Sequence, residues 1–146
     1  MVKVTVWVEV NPSEDIEKVK RALLNIVSPT VINVEKVGEK TFIVASAGSF
    51  RALLKFRELI RKQEIEDSAR LVLMRGIVSD NKIVIHVHKQ AAYVGHLSFV
   101  TEEKESPLGP ITIIIETRNI RQLIDWLAPR TVKGQRIYEV EPPEDC

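Results

Sequence analysis

The sequence predicts an α+β domain with a mainly antiparallel sheet and helices gathered on one face. The first segment, 2–10, alternates valine with polar residues, which is typical of a half-buried strand. Two further strand-like segments, 31–37 and 41–47, are joined by a tight turn at VGEK, which indicates an antiparallel hairpin. The later strands lack the strict strand–helix alternation of a doubly wound fold.

The elements are expected in the order β-α-β-β-α-α-β-β-β-α. Asn11-Pro12 ends the first strand, and Ser13 with Glu17 favours a helix that runs to about Asn25. After the hairpin, helical patterns cover 49–63 and then EIEDSARLVLMRGI. The remaining expectations are a strand at 82–88, a helical turn or loop at 89–95, a strand at 96–100, a strand at 111–117 and a helix at 119–127.

No linker divides the 146 residues, so we expect one domain over 1–146, with a mobile loop at about 101–110 and an irregular acidic tail at about 139–146. Cys146 is the only cysteine, which excludes an intrachain disulfide. The first segment does not resemble a signal peptide, and no apolar run is long enough to span a bilayer. We therefore expect a cytoplasmic protein, and its composition leans towards a thermophile.

Charge is concentrated in one predicted helix although the formal net charge is only +1. Its apolar side at helical spacing consists of Phe50, Leu53, Phe56 and Ile60. The helix carries five cations: Arg51, Lys55 and Lys62 on the opposite side, with the single acidic residue Glu58 between them, and Arg57 and Arg61 on the flank. Spaced cations of this kind bind phosphate backbones, although a basic face can also serve solubility alone.

The three histidines all lie in HVHKQAAYVGH, residues 86–96. His86 and His88 share one face of a strand, about 6.6 Å apart, which two metal ligands could use. A third ligand would have to come from His96 or Glu102 by an unproven fold-back. We expect two half-exposed histidines, no bound metal and no cofactor. The chain also lacks a glycine-rich phosphate loop, a nucleophile elbow and a spaced acid/base pair, so we expect no enzyme.

Trp7 is predicted on the polar face of the first strand, where it could stack on a base, contact a second subunit or be covered by a later strand. Together with Ile114 it leaves apolar area to be covered, so we expect a homodimer. The first 88 residues also follow the β-α-β-β-α-β order of an RNA-recognition motif. That identity is disfavoured because GEKTFIVAS lacks the interleaved aromatic residues of the motif.

Four segments, KFRELIRKQEIEDSAR, KQAA, ESPLGPI and LIDWLAPRTVKG, together resemble an uncharacterised archaeal protein family labelled predicted RNA-binding and sometimes exosome-associated. The resemblance covers nearly the whole chain. It implies a fold similar to the large-subunit ribosomal protein that binds five-S rRNA, and a dimer. It supplies no catalytic residue. The positions that match its pattern are Lys89, Gln90, Ala91, Ala92, Ser106, Pro107, Leu108, Gly109, Pro110, Asp125 and Trp126, whereas His88 stands where the family commonly has Asn.

Within the matching positions, Lys89 and Gln90 are the best functional candidates, because polar residues on a turn are little needed for packing. The leading hypothesis is a non-enzymatic homodimer that binds structured RNA through its basic helix, with Arg51, Lys55, Arg57, Arg61, Lys62, Lys89 and Gln90 as nucleic-acid contacts. A homodimeric protein-interaction module of a larger assembly is the second hypothesis. An unrecognised enzyme is the third.

Overall fold

The alternating valines form the third strand of a six-stranded sheet in a computed structural model of the chain, which describes residues 2–100, 108–132, 135–136 and 140–143. The strand order is β2-β3-β1-β6-β5-β4, and every neighbouring pair is antiparallel. The strands are β1 Val2–Val10, β2 Val31–Val37, β3 Lys40–Ala47, β4 Ile77–Ser79, β5 Lys82–Val87 and β6 Ile111–Thr117. The predicted α+β class with an antiparallel sheet is confirmed.

The helices pack on one face of this sheet, which we call the inner face. They are α1 Ile16–Leu24, α2 Leu54–Lys62, α3 Glu66–Arg75, α4 Lys89–Tyr93 and α5 Ile120–Leu127, and a 3-10 turn over Phe50–Leu53 precedes α2. The inner face carries Val4, Val6 and Val8 of β1, all buried, beside the isoleucines of β6. The longer helices α1, α2, α3 and α5 each bury apolar side chains in this core, such as Phe56 and Ile60 of α2. This burial is the main stabilising contribution to the fold.

The opposite, outer face is formed by the alternate residues of the same strands. In β1 these are Lys3, Thr5, Trp7 and Glu9, none of which is fully buried. Registers with β3 and β6 place Val44, Trp7 and Thr112 in one row across three strands. None of the described helices packs on this face. The sheet is therefore covered by helices on one side only, over the described part of the chain.

Several predicted boundaries are wrong. The helix predicted over 64–77 ends at Arg75, because Gly76 lies so close to β5 that a Cβ there would come within 2.6 Å of the Val84 carbonyl oxygen. Ile77–Ser79 then forms the edge strand β4. The first helix is capped by Asp15 rather than Ser13, since the Asp15 carboxylate accepts a hydrogen bond from the Glu17 amide.

The strand predicted at 96–100 is reduced to a single bridge between Val87 and Phe99, because the remaining edge of β5 is occupied by β4. A second small sheet, β7 Thr131–Val132 with β8 Gln135–Arg136, lies in a region expected to be irregular. Two-residue strands are too short to produce a periodic signal. Most of the predicted loop at 101–110 and the last residues of the acidic tail lie outside the described residues.

The strands of the first 88 residues are not arranged in the sheet as in an RNA-recognition motif. In that motif the fourth strand pairs with the first, whereas here β6 takes the place beside β1 and β5 lies one strand further out. Among the described helices, none is long and apolar enough to cross a membrane.

Candidate functional site

The exposed cations of the 3-10 turn and of α2 stand on the side of this helical segment that faces water, together with the exposed Glu58. Ser49 accepts a hydrogen bond from the Arg51 amide at 3.1 Å and so starts the 3-10 turn that leads into α2. Phe56 and Ile60 are then buried, while Arg51, Lys55 and Lys62 are exposed. We call these three residues the α2 cation surface. The predicted division of the helix into an apolar and a basic side is present in the structure.

The two flanking arginines are more involved in packing. Arg57 is half-buried; its Nε donates to the Trp126 carbonyl oxygen at 2.9 Å, and its guanidinium carbon lies 5.1 Å from the centre of the Trp126 ring. Arg61 is also half-buried. Arg57 therefore connects α2 to α5, and replacing it would disturb the core as well as the surface charge.

The α2 cation surface continues onto α1. The Lys55 ammonium donates to the Leu24 carbonyl oxygen at the end of α1, at 2.9 Å. One helical turn earlier, exposed Arg21 holds its guanidinium carbon 5.9 Å from the centre of the Tyr93 ring in α4. The sequence analysis missed Arg21. In the sequence, Arg21 is recognisable only as an arginine on the polar side of an amphipathic helix. Nothing in that pattern indicates that α2 lies beside it.

Lys89 was predicted as a functional residue because it was expected on an exposed turn, but it is not exposed. Its side chain is buried, and its ammonium donates to the carbonyl oxygens of Glu9 and Leu108, both at 2.8 Å, and to Glu14 Oε1 at 2.9 Å. All three ammonium protons are used. The argument that Lys89 is little needed for packing is therefore wrong, whereas its neighbour Gln90 is exposed.

A cleft of about 310 Å³ lies beside this buried ion pair, between α1 and α4. Val19 and Ala22 of α1, Tyr93 of α4 and Leu108 give it an apolar lining, and Ser13, Glu14, Asp15, Lys18, Lys89 and Gln90 complete it. The Asn25 amide fixes the far end of α4 by donating to the carbonyl oxygens of Ala92 and Tyr93, at 2.9 and 3.1 Å. The two walls are thus held in a fixed relation.

His86 lies on the outer face of β5, as predicted, whereas His88 follows the strand as the residue that precedes α4. His86 and His88 are half-buried, and His86 Nδ1 is 3.0 Å from the hydroxyl of Thr112. Burial lowers the pKa of His86 below its usual value of 6.5. Over the residues that the structure describes, no group of three or more His, Cys, Asp or Glu side chains is arranged to hold a metal ion.

The two predicted dimer-contact residues lie on the same face of adjacent strands. Trp7 is 39% exposed and packs edge-on against Phe42, with ring centres 5.9 Å apart. Ile114 is half-buried and stands opposite Thr5 of β1 and Val84 of β5. The outer face therefore has an apolar centre.

The chain is similar to proteins from several archaea. A UPF0201 protein of Pyrobaculum islandicum is 50% identical over 137 residues, covering 94% of this chain and 96% of the relative. A UPF0201 protein of Saccharolobus solfataricus is 46% identical over 145 residues, covering 99% of each. A crystal structure of the UPF0201 protein from Methanococcus jannaschii, 34% identical, matches with a TM-score of 0.80 over 93% of this chain and 99% of that one.

A more distant likeness concerns the fold alone. The structure of a DUF54 protein from Methanothermobacter thermautotrophicus is 22% identical and matches with a TM-score of 0.56 over 78% of this chain and 82% of that one. A family model described as RNA binding matches residues 3–117, which include α2, β6 and all of β1 except its first residue. The predicted resemblance to an archaeal family labelled as RNA-binding is thereby confirmed, and the chain belongs to the archaeal UPF0201 protein family.

Proposed function

We propose that this protein is a non-enzymatic, cytoplasmic RNA-binding protein whose α2 cation surface contacts the phosphates of structured RNA. The observation that carries the proposal is the division of roles on one helix. Phe56 and Ile60 fix α2 to the core, while Arg51, Lys55 and Lys62 remain exposed. The family model described as RNA binding, which spans this helix, supports the same reading.

The spacing of the cations suits a nucleic-acid backbone. From Arg51 to Lys62 the helical rise amounts to about 17 Å, so the three side chains can reach phosphates of several nucleotides. Exposed Arg21 extends the charged area beyond α2. Because the formal net charge of the whole chain is only +1, attraction of RNA must come from this local concentration of cations. The predicted likeness to the ribosomal protein that binds five-S rRNA stays a prediction and agrees with a structured RNA partner.

Binding carried by phosphate contacts has a definite salt dependence. Three contacts that each release a counterion give a log–log slope of affinity against salt of about −2 to −3. Contacts to the backbone discriminate little between sequences. The test is a fluorescence-anisotropy titration of a labelled RNA hairpin at several salt concentrations, in which we expect tight binding at low salt and this slope. No measurable binding at low salt would contradict the proposal.

The outer face of the sheet favours a second function, self-association. Its centre carries Trp7, Phe42, Val44, Ile114 and Val84, and none of the described helices covers it. Its charges balance, with Lys3, Lys40 and Lys82 against Glu9, Glu35 and Glu116. A balanced rim around an apolar centre fits a protein partner better than a polyanion. We propose a second copy of this chain as that partner.

The arrangement of charges favours one orientation of the two copies. Lys3 and Lys82 flank Glu116 at one end of the face, whereas Glu9 and Glu35 lie towards the other end. A two-fold axis in the interface and perpendicular to the strands would stack β1 on β1 of the second copy with the ends exchanged. Lys3 would then face Glu9 of the second copy, and Trp7 would face the smaller Thr5. Large side chains opposite small ones allow the two faces to interdigitate.

A further inference from the structure

A groove of about 260 Å³ lies between the second half of α3 and the first half of α5, with β4 beside it. Its apolar lining consists of Met74, Ile77, Ile120 and Ile124. The exposed apolar area continues past the groove onto Leu71 and Val78. Four of the eleven exposed large apolar side chains in the described chain therefore fall within 71–78. Such a concentration of exposed apolar area is a common mark of a protein interaction site.

The two helices that form the groove are held together by an ion pair. Arg70 of α3 lies 2.7 Å from Asp125 of α5, and the same guanidinium donates to the Ala128 carbonyl oxygen at 3.2 Å. The start of α5 is positioned by the Thr117 amide, which donates to the Asn81 carbonyl oxygen in the turn after β4 at 2.9 Å. A groove whose walls are fixed before binding loses little conformational freedom when a partner enters it.

The rim of the groove is basic. Arg121 lies in the first turn of α5, Arg118 precedes that helix, and Arg75 is the last residue of α3; all three are exposed. No carboxylate of the described residues forms an ion pair with any of them. Among the described residues that line the groove, Asp80 is the only acidic one. The charges around the apolar centre are therefore complementary to a partner that carries carboxylates.

The lining and the neighbouring strand disfavour two other kinds of ligand. Single-stranded nucleic acids stack their bases on aromatic side chains, and none of the described lining residues is aromatic. The edge strand β4 is three residues long, and its register shifts between Ile77 and Ser79. Short and irregular edge strands resist the addition of a further strand. An amphipathic helix needs neither feature, because it places its apolar side directly into a groove.

We propose that this groove binds an acidic amphipathic helix of a partner protein. One apolar side chain of the partner enters the space between Met74 and Ile124. Carboxylates on the two flanks of the partner helix pair with Arg118 and Arg121 on one side of the groove and with Arg75 on the other. Arginine and methionine are both enriched at protein interfaces. The inference does not depend on RNA binding, because none of these residues belongs to the α2 cation surface.

The test uses two labelled synthetic peptides of about 18 residues, long enough to form a helix, with leucine at helical spacing on one side. The two peptides differ only in having glutamate or lysine on the other side. Fluorescence anisotropy with the full-length protein should show binding of the glutamate peptide and none of the lysine peptide. Met74→Asp and Arg121→Glu should each weaken binding of the glutamate peptide about 5- to 30-fold, as loss of an interface anchor does.

Two matched controls make the same changes at exposed positions outside the groove. Val94→Asp lies at the end of α4, and Lys36→Glu lies on β2 at the opposite edge of the sheet. Both should bind the glutamate peptide like wild type. Because Met74 and Arg121 are exposed, their variants should stay folded, which circular dichroism verifies.

Several results would overturn the inference. If neither peptide binds, or if both bind equally, the groove does not select an acidic helix. Unchanged affinity for the glutamate peptide in folded Met74→Asp and Arg121→Glu would place the peptide elsewhere on the protein. Loss of self-association in Met74→Asp would assign the groove to a second copy of this chain. Displacement of the peptide by an RNA hairpin, together with weaker RNA binding by Arg121→Glu, would assign the groove to RNA.

Discussion

The Lys89 ammonium lies 2.9 Å from Glu14 Oε1, and the two side chains are only 4% and 12% exposed. The same ammonium donates to the carbonyl oxygens of Glu9 at the end of β1 and of Leu108 ahead of β6. One buried charge thus joins two central strands to the turn that begins α1. Because a buried charge is costly unless it is paired, this cluster is sensitive to the loss of either member.

Replacing Lys89 by Met should destabilise the protein strongly. The Met side chain keeps most of the volume but leaves the Glu14 carboxylate mostly buried without its cation, which costs about 3–5 kcal/mol in the free energy of unfolding. Urea denaturation measures the change. Gln90→Ala, at the exposed neighbouring position, is the control and should lie within about 0.5 kcal/mol of wild type. A loss below about 1 kcal/mol for Lys89→Met would show that the pair contributes little.

Glu14 should make stability fall in acid. Burial by itself raises the pKa of Glu14. Hydrogen bonds from Asn11 and Lys89, together with the charge of Lys89, lower the pKa by more than burial raises it, so the pKa of Glu14 lies below its usual value of 4.5. A carboxyl with a depressed folded pKa contributes stability that is complete above the unfolded value and is lost as pH falls through the folded pKa. Urea unfolding from neutral pH to about pH 3 should show a steeper loss for wild type than for Glu14→Gln. Parallel profiles would refute this role.

We predict no tightly bound transition metal at His86 and His88. One nitrogen of His86 already faces the Thr112 hydroxyl, and two imidazoles without a third ligand bind zinc weakly. Elemental analysis of protein purified without chelator should find well below one metal ion per chain. The opposite result would be about one ion per chain that disappears in the double variant His86→Ala, His88→Ala.

The outer face should form a homodimer that depends on charge and on Trp7. A stable interface buries about 1,200 Å² or more in total, so light scattering should give a dimeric mass at micromolar concentration and a monomer for Trp7→Ala. In the proposed orientation, Lys3→Glu and Glu9→Lys should each weaken the homodimer, because like charges then face each other. A mixture of the two variants should form heterodimers.

Three results would count against that account. A monomeric wild type would exclude this dimer. A mixture that remains monomeric would reject the proposed axis but not self-association. Rescue of Lys3→Glu by Glu116→Lys in place of Glu9→Lys would indicate the other two-fold axis, parallel to the strands, which places Lys3 over Glu116 of the second copy. Arg118→Ala, exposed just beyond β6, is a control that should leave the dimer unchanged.

The fold was predictable from local patterns. Valines at every second position of β1 determine which face is buried, and Phe56 with Ile60 determines how α2 packs, so both elements follow from periodicity alone. The end of α3 was not predictable, because Gly76 terminates the helix through a close approach to Val84 that only the tertiary structure creates. The order of the strands in the sheet could not be predicted from periodicity either, because no local pattern indicates that β6 lies beside β1.

The residues of the candidate site could be predicted only where their exposure follows from the helix on which they lie. Arg51, Lys55 and Lys62 were identified from helical spacing, because an amphipathic helix determines its own exposed side. Lys89 was misjudged because its acceptors at Glu9, Glu14 and Leu108 lie far away in sequence. The cleft was not predictable for the same reason, because it forms only where α1 and α4, which are distant in sequence, lie side by side. Contacts between distant segments leave no periodic trace in the sequence.

The most direct test of RNA binding compares the salt dependence of wild type with that of the triple variant Arg51→Ala, Lys55→Ala, Lys62→Ala. These side chains are exposed, so their removal opens no cavity, and circular dichroism can verify that the variant stays folded. The triple variant Lys36→Ala, Arg75→Ala, Arg118→Ala removes the same charge from exposed positions that belong neither to the α2 cation surface nor to the proposed dimer contacts, and is the matched control.

The measurement is the affinity for one labelled RNA hairpin at a series of salt concentrations. RNA binding through the α2 cation surface predicts that the α2 variant binds this hairpin more weakly and that the magnitude of its log–log slope is smaller by about 2 to 3, while the control keeps the wild-type slope. Equal affinity and equal slope in wild type and a folded α2 variant would contradict it.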